Sequence, residues 1–200
     1  MANKKKSTIL KDTLALTIIT VVAGLALGFV YEITKGPIEQ RQLEEKTAAY
    51  AAVYSEADSF GETDEIKAAV ENSESILSNS GLDGVSVDEV YIAYDSSNNQ
   101  IGYVMSVTSK RGFGGNITLS LGVTNEGEIK GLEFLVLNET QGFGSKAAEP
   151  EFKDQFLGKS EETYNLGDQV NAISGATITS KAVTSAINAG IYFINNIGGQ

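Results

Sequence analysis

Apolar residues follow two different patterns along the chain. From Thr13 to Tyr31 the sequence runs for 19 residues without a charged side chain, whereas from Val87 onward apolar and polar residues alternate in short segments. A helix over the first stretch is ~29 Å long at ~1.5 Å per residue, which is close to a ~30 Å hydrocarbon core. The pattern predicts a single membrane-spanning helix followed by a domain that contains β-strands.

Basic residues stand in front of the apolar stretch. They are Lys4, Lys5, Lys6 and Lys11. A signal peptide has the same order of segments, but its apolar region is usually ~7–15 residues long and ends at a small-residue cleavage site. The longer stretch here, followed directly by Glu32, favours an uncleaved anchor. The positive-inside rule then predicts residues 1–12 in the cytoplasm and residues 32–200 on the outer face. Gly24 and Gly28 form a G-x-x-x-G motif, which is typical of contact between membrane helices.

The segment after the anchor changes composition twice. Gly36 and Pro37 predict the start of a second helix, from Pro37 to Tyr54, because proline is tolerated in the first turn of a helix. Residues 55–84 are rich in Asp, Glu, Ser, Asn and Gly. We expect them to form an exposed elaboration with one short helix over Ile66–Leu77.

Two pairs of strand-like segments follow. They cover residues 87–95, 100–109, 116–124 and 129–138. Turn-forming residues join each pair, at Ser96–Asn99 and at Asn125–Glu128, so four antiparallel strands are expected. A short helix is expected around Pro150–Leu157, and a closing helix over Thr177–Asn195 has the apolar stripe of a helix packed on a sheet. The predicted fold class is α+β, with an antiparallel sheet and packed helices. Its parts are a basic N-terminus (1–12), a transmembrane helix (13–31), a helical stalk and elaboration (32–84) and the sheet domain (85–200).

Composition excludes several kinds of chemistry. The chain has no Cys and no His, which removes cysteinyl iron–sulfur ligation, Cys/His zinc sites, thiol or serine–histidine catalysis and histidine-ligated haem. The formal net charge is −11, so a broad basic surface for nucleic acid is not expected. No metal-binding or catalytic residue is predicted.

Glycines cluster at Gly112–Gly115 and at Gly142–Gly144. Both clusters are compatible with tight turns that need positive φ angles. Neither is a dinucleotide fingerprint, because no parallel βαβ unit surrounds them. The ends of adjacent strands converge, however, and bare backbone lets a ring or phosphate approach closely, so the two clusters could also line one ligand site.

Small hydroxylated residues lead into the closing helix, over Asn171–Ser180. One interpretation is an N-cap, in which Ser174, Thr177 or Thr179 accepts a hydrogen bond from the first turn. The other is an anion site, because the unpaired N–H groups and the positive end of the helix dipole stabilise a phosphate at the same place.

Two motifs resemble those of a known family. Ser174-Gly175-Ala176-Thr177 resembles the flavinylation motif of the FMN-binding domain family, and the segment Glu139–Gly144 resembles the second signature of that family. The resemblance implies that Thr177 carries FMN through a phosphoester bond installed by a flavin transferase from FAD, with the flavin ring toward Glu139–Gly144. The implied binding residues are Thr177, Ser174, Gly175, Ala176, Ile178, Thr179, Glu139, Thr140, Gly142 and Gly144. Asn171 and Gln141 stand where the family usually has Asp and Pro.

The whole chain is similar to a family of membrane proteins. A basic N-terminus, one span and 200 residues are typical of the G subunits of Rnf ion-translocating complexes. The resemblance implies an electron relay between ferredoxin and NAD+ that is coupled to Na+ or H+ movement, without an independent active site. The implied partners are the other proteins of the Rnf complex, the flavin transferase and the lipid bilayer. The alternatives are the C subunit of a sodium-pumping NADH:quinone reductase, a stand-alone external flavin protein, and an assembly scaffold that holds FMN noncovalently or not at all.

Overall fold

The computed structural model of the chain describes the backbone of residues 2–197 and the side chains of residues 11–35 and 48–197. The chain divides into two compact units, Met1–Glu45 and Lys46–Gln200. Helix α1, Ala2–Val53, makes up the first unit and contributes its last residues to the second. The second unit contains a sheet and the remaining helices.

Helix α1 contains a segment that could cross a membrane. Lys11–Lys35 is 25 residues long and apolar, and its side chains are exposed. That length is ~37 Å of helix, which exceeds a ~30 Å hydrocarbon core. The predicted start of a second helix at Pro37 is wrong, because the backbone is helical without a break from Ala2 to Val53. A proline inside a helix removes one backbone hydrogen bond, and this helix continues through Pro37.

The second unit is built on a five-stranded antiparallel sheet, with the strands in chain order. The strands are β1 Ser59–Gly61, β2 Val85–Tyr94, β3 Gln100–Ser109, β4 Ile117–Thr124 and β5 Ile129–Leu137. The four predicted strands and their antiparallel order are confirmed. The edge strand β1 escaped prediction because it has only three residues and no apolar alternation.

Residues 55–84 are mostly exposed, as expected, but they also add a strand to the sheet and pack helices against it. Strand β1 lies in this segment, and two helices follow it, α2 Asp64–Glu71 and α3 Ser73–Asn79. Ile66 and Leu77 are buried in the main core. Two helices replace the single predicted one because the backbone leaves helical geometry at Asn72, with φ −101° and ψ 7°. The sparse apolar residues of the segment are enough to bury one side of each helix.

The closing helix covers one face of the sheet. It is α5, Thr177–Ile197, and it contacts β2, β3 and β4. Every residue of the predicted apolar stripe is buried: Val183, Ala186, Ile187, Gly190, Ile191 and Ile194. The predicted closing helix is therefore confirmed. The short helix before it, α4 Pro150–Lys153, is shorter than expected because hydrogen-bonded turns replace it over residues 154–157.

A smaller cluster covers the other face of the sheet, with Tyr50, Val53 and Tyr54 at its centre. Gly122 and Gly131 pair across β4 and β5, and a Cβ on either would lie 2.4 Å from the Val53 carbonyl oxygen. These glycines therefore let the end of α1 lie directly on the sheet. Tyr50 donates a hydrogen bond of 2.7 Å to the carboxylate of Glu89. Burial and this neighbouring carboxylate raise the pKa of Tyr50 well above its ordinary value.

Candidate functional site

Two loops leave the sheet side by side, at the same end of its central strands. Ser109, at the end of β3, pairs with Ile117 at the start of β4, and Ile117 pairs with Leu137 at the end of β5. The loop between β3 and β4 and the segment that follows β5 therefore begin side by side. This register explains why the two glycine clusters in the sequence come close together.

The carboxylate of Glu139 joins three segments of the site. Its Oε1 accepts hydrogen bonds from the backbone N–H groups of Phe113, at 2.9 Å, and Gly114, at 3.2 Å. Its Oε2 accepts a bond of 3.0 Å from the hydroxyl of Thr179 in the first turn of α5. Glu139 therefore holds the β3–β4 loop and the closing helix against the segment after β5.

Close backbone approach explains the glycine at position 144. A Cβ on Gly144 would lie 2.6 Å from Oε2 of Glu139 and 2.7 Å from Oγ1 of Thr179. These distances are too short for any side chain, so only glycine leaves room for the bond between Glu139 and Thr179. Gly142 meets the expectation of a turn glycine, since it has a positive φ of +77°.

The N-terminus of α5 presents unpaired N–H groups. The first bond to a carbonyl four residues earlier joins the N–H of Ser180 to Ala176, so Thr177, Ile178 and Thr179 precede the helical pattern. The Ser180 hydroxyl donates to the Ala176 carbonyl and accepts from the N–H of Ile173, which fixes the preceding turn on the helix. In the described part of the chain, no hydroxyl of Ser174, Thr177 or Thr179 accepts a bond from this first turn. The free N–H groups and the helix dipole leave a place for an anion.

A cavity of about 450 Å³ opens beside this helix end. Such a volume lies within the range of about 300–1,000 Å³ that is typical of small-molecule sites. Its lining residues are Phe113, Glu139, Thr140, Phe143, Gly144, Gly175, Ala176, Thr177, Ile178 and Thr179.

Exposed apolar side chains are concentrated at this cavity. Phe113 is 68% exposed, Phe143 53% and Ile178 52%. Within residues 48–197, Val136 is the one further large apolar side chain exposed to a comparable degree. Since large apolar side chains rarely cluster on a surface without a partner, the three mark a binding site. A Cβ on Gly175 would lie 3.0 Å from the ring of Phe143, so glycine also lets that ring lie against the turn before α5.

The two threonines of the helix start differ in accessibility. Thr177 is exposed and lines the cavity. Thr179 is 1% exposed, and its hydroxyl is engaged by Glu139. A group attached from solution can therefore reach the hydroxyl of Thr177, whereas the hydroxyl of Thr179 has a structural role.

The structure brings together eight of the ten residues that the sequence motifs pointed to. Gly142 and Ser174 do not line this cavity: the N–H of Gly142 donates to the Ser145 hydroxyl, and Ser174 lines a neighbouring depression with Asn171. Asn171 is held through its backbone, whose N–H donates a bond of 2.7 Å to Oε1 of Gln155. The side-chain change from Asp to Asn therefore leaves this contact intact.

Sequence reasoning missed Phe113 and Phe143. Each is a single aromatic residue between glycines, at Gly112-Phe113-Gly114 and Gly142-Phe143-Gly144. A large apolar side chain in an otherwise bare turn cannot be covered by its own loop. That combination is the signal that could have identified the two rings.

The fold and the site define an α+β domain with a ligand cavity between strand ends and a helix N-terminus. A family model described as the FMN-binding domain matches residues 112–192, a range that contains all three segments of the site. The residues fit this cofactor, because exposed rings at Phe113 and Phe143 can lie against a planar flavin, and the start of α5 can hold its phosphate.

Relatives extend this similarity to the whole chain. The chain is 32% identical to the G subunit of the Na(+)-translocating ferredoxin:NAD(+) oxidoreductase complex of Acetobacterium woodii, over 94% of this chain and 93% of the relative. It is 27% identical to the G subunit of the proton-translocating ferredoxin:NAD(+) oxidoreductase complex of Clostridium ljungdahlii, over 98% of this chain and 97% of the relative. The chain belongs to this family of G subunits. The crystal structure of NqrC from Shewanella oneidensis is similar at 24% identity and a TM-score of 0.47, over 56% of this chain and 61% of that one.

Proposed function

We propose that this chain is the flavoprotein electron-transfer subunit of an Rnf-type ion-translocating ferredoxin:NAD+ oxidoreductase and that Thr177 carries its FMN as a phosphoester. The observation that carries the proposal is the exposed Thr177 hydroxyl, which lies at a helix N-terminus and beside a cavity with exposed aromatic rings. The family membership and the FMN-binding domain support the electron-transfer role.

Attachment needs an accessible hydroxyl and an activated flavin. In the proposed reaction, Oγ1 of Thr177 forms a bond to the FMN phosphorus of FAD, the bond to AMP breaks, and the hydroxyl proton is released. Thr177 can reach a transferase because it is exposed, whereas Thr179 is buried against Glu139. The unpaired N–H groups of the first turn would then hold the phosphate and stabilise its charge.

The bound cofactor supplies the ability to take and give electrons singly or in pairs. The chain supplies its position. Phe113 and Phe143 would hold a flat ring and exclude water from it, and Glu139 keeps their two loops in place against α5. Thr140 also lines the cavity. No residue of the chain needs to move a proton in this role.

We also propose a location for each part of the chain. Residues 1–12 lie in the cytoplasm, residues 13–31 cross the membrane, and residues 32–200 lie on the outer face, since four lysines precede the apolar stretch. Residues 55–84 belong with the flavin domain of residues 85–200, because their helices pack on β2. A protease added to intact cells should digest the domain, and a domain that survives intact would reverse this orientation.

Fluorescence of the denatured chain tests the attachment. The full chain, co-expressed with a flavin transferase and separated on a denaturing gel, should fluoresce. Thr177→Ala should abolish this fluorescence, whereas Thr179→Val should retain it, because the buried hydroxyl is not the acceptor. Thr177→Ser keeps a hydroxyl at the same position and serves as a matched control that should retain part of the signal.

Other outcomes separate the remaining possibilities. Loss of fluorescence in Thr179→Val together with its persistence in Thr177→Ala would move the attachment site by two residues. Flavin that elutes with the native chain but leaves it on denaturation would mean noncovalent binding. A native chain without any flavin would mean an assembly scaffold.

A further inference from the structure

A second cavity, of about 570 Å³, lies along the first turns of α5. Ile178 lines both this cavity and the one beside Thr177. The second cavity is bordered by Arg111 from the β3–β4 loop, by Lys181 and Thr184 from α5, and by Asn165 and Leu166 from the segment before α5. None of the residues that line it carries a carboxylate.

Two cations without ion-pair partners meet at this cavity. Residues 46–200 contain nine Lys or Arg and 21 Asp or Glu, a net charge of −12. Of the eight Lys and Arg residues in 48–197, four make an ion pair: Lys67, Lys110, Lys130 and Lys153. The other four, Arg111, Lys146, Lys159 and Lys181, make none within these residues, and Arg111 and Lys181 both line this cavity, at which no carboxylate lies. Their convergence leaves a local positive charge on an acidic domain.

A buried hydroxyl without a partner lies at the same cavity. Thr184 is 4% exposed, and its Oγ1 has no hydrogen-bond partner in the part of the chain that the structure describes. Buried polar atoms are nearly always paired, because an unpaired one costs about 1–3 kcal/mol. Thr184 also lines the cavity, so a ligand oxygen could become the missing partner if the Thr184 side chain turned its hydroxyl toward the cavity.

The wall of the cavity is held in place without a ligand. Oδ1 of Asn188 accepts a bond of 2.8 Å from the N–H of Tyr164, and its Nδ2 donates one of 2.9 Å to the Tyr164 carbonyl. The side chain of Gln169 accepts a bond of 2.9 Å from the N–H of Asn165. These bonds fix the segment before α5 against the helix, so the cavity is already formed.

We propose that this second cavity binds a phosphate ester, with Arg111 and Lys181 supplying the charge and Thr184 a hydrogen bond. Two cations and a hydroxyl suit an anion with several oxygens, and a guanidinium can bond two of them at once. The phosphate can belong to a flavin attached at Thr177, one helical turn before Lys181, or to a separate ligand. The site itself does not depend on flavin at Thr177.

Titration calorimetry of the full chain with inorganic phosphate, at ionic strength held constant with chloride, tests the proposal. The chain is first prepared without a flavin transferase, so that Thr177 is bare. Saturable binding is expected. Arg111→Gln and Lys181→Gln should each weaken it about fivefold, since exposed charges contribute up to about 1 kcal/mol. Lys67→Gln removes the same charge from α2 and should leave the affinity unchanged.

The same titration of the flavin-carrying chain identifies the source of the phosphate. Loss of phosphate binding means that the attached flavin already fills the site, and retained binding means that a separate ligand does. Absence of saturable binding to the bare chain would overturn the proposal. Equal binding by wild type and by the Arg111→Gln/Lys181→Gln double variant would overturn it as well, because the anion would then lie elsewhere.

Discussion

Replacing Glu139 by alanine should loosen three segments of the domain at once. The carboxylate accepts bonds from the N–H groups of Phe113 and Gly114 and from the hydroxyl of Thr179, at 2.9, 3.2 and 3.0 Å. Alanine leaves all three donors without this acceptor. The Thr179 hydroxyl is affected most, because the residue is 1% exposed and water cannot replace the lost partner.

The size of the effect follows from the number and exposure of these bonds. A hydrogen bond to a charged group contributes about 1.5–3 kcal/mol, and the partial exposure of Glu139 reduces each of the three toward about 1 kcal/mol. We therefore expect a loss of about 3 kcal/mol in the free energy of unfolding. For a unit of this size, that loss lowers the melting temperature by roughly 6–12 °C.

Thermal unfolding of the full chain in detergent, followed by circular dichroism, measures this change. Glu139→Gln keeps an oxygen for the two N–H groups and should lose only about 1 kcal/mol, the value of one neutral bond. Glu162→Ala removes an exposed carboxylate for which no contact is described, so its melting temperature should equal that of the wild type. A Glu139→Ala chain that melts within about 1 °C of the wild type would refute the three-segment role of this carboxylate.

Three further changes test other parts of the structure. Gly144→Ala places a methyl group 2.6 Å from Oε2 of Glu139. The free energy of unfolding from denaturant titrations should therefore fall by about 1–3 kcal/mol, and a flavin-binding assay should show weaker retention of the flavin. Thr184→Val removes an unpaired buried hydroxyl, so chemical denaturation without phosphate should show a chain at least as stable as the wild type; a loss above about 1 kcal/mol would contradict this. The raised pKa of Tyr50 means that only the unfolded chain loses this proton above the ordinary value of 10.0, so stability should fall as pH rises past that value. Tyr50→Phe should reduce this fall in the free energy of unfolding by up to about 1.4 kcal/mol per pH unit. Melting temperatures of both chains, measured between about pH 9 and pH 11.5, check this.

The sequence predicts most of the sheet because strands β2 to β5 are eight to ten residues long and rich in β-branched and aromatic residues. Turn residues between them settle the antiparallel order. Strand β1 is different, since its three residues pair with Tyr94, Ala93 and Ile92 only after the chain has folded back. A contact of this kind depends on tertiary structure and leaves no periodic signal.

The sequence predicts those parts of the candidate site in which the backbone conformation or a close approach requires glycine. Gly144 and Gly175 are required by close approach or a positive φ, and such positions stand out in a sequence. The roles of Glu139 and Thr179 were not predictable in detail, because their bond joins residues 40 positions apart. The difference in exposure between Thr177 and Thr179 likewise follows from helix packing and could not be read from the motif.

The most direct test of the central claim is peptide mapping of the chain purified from its native host. Trypsin should release residues 160–181 as one peptide, because it cleaves after Lys159 and after Lys181, and this peptide contains both Thr177 and Thr179. We expect the peptide to carry one FMN phosphoester, with fragment ions that place the added mass on Thr177. A peptide of unmodified mass, or fragments that place the flavin on any other residue, would contradict the account.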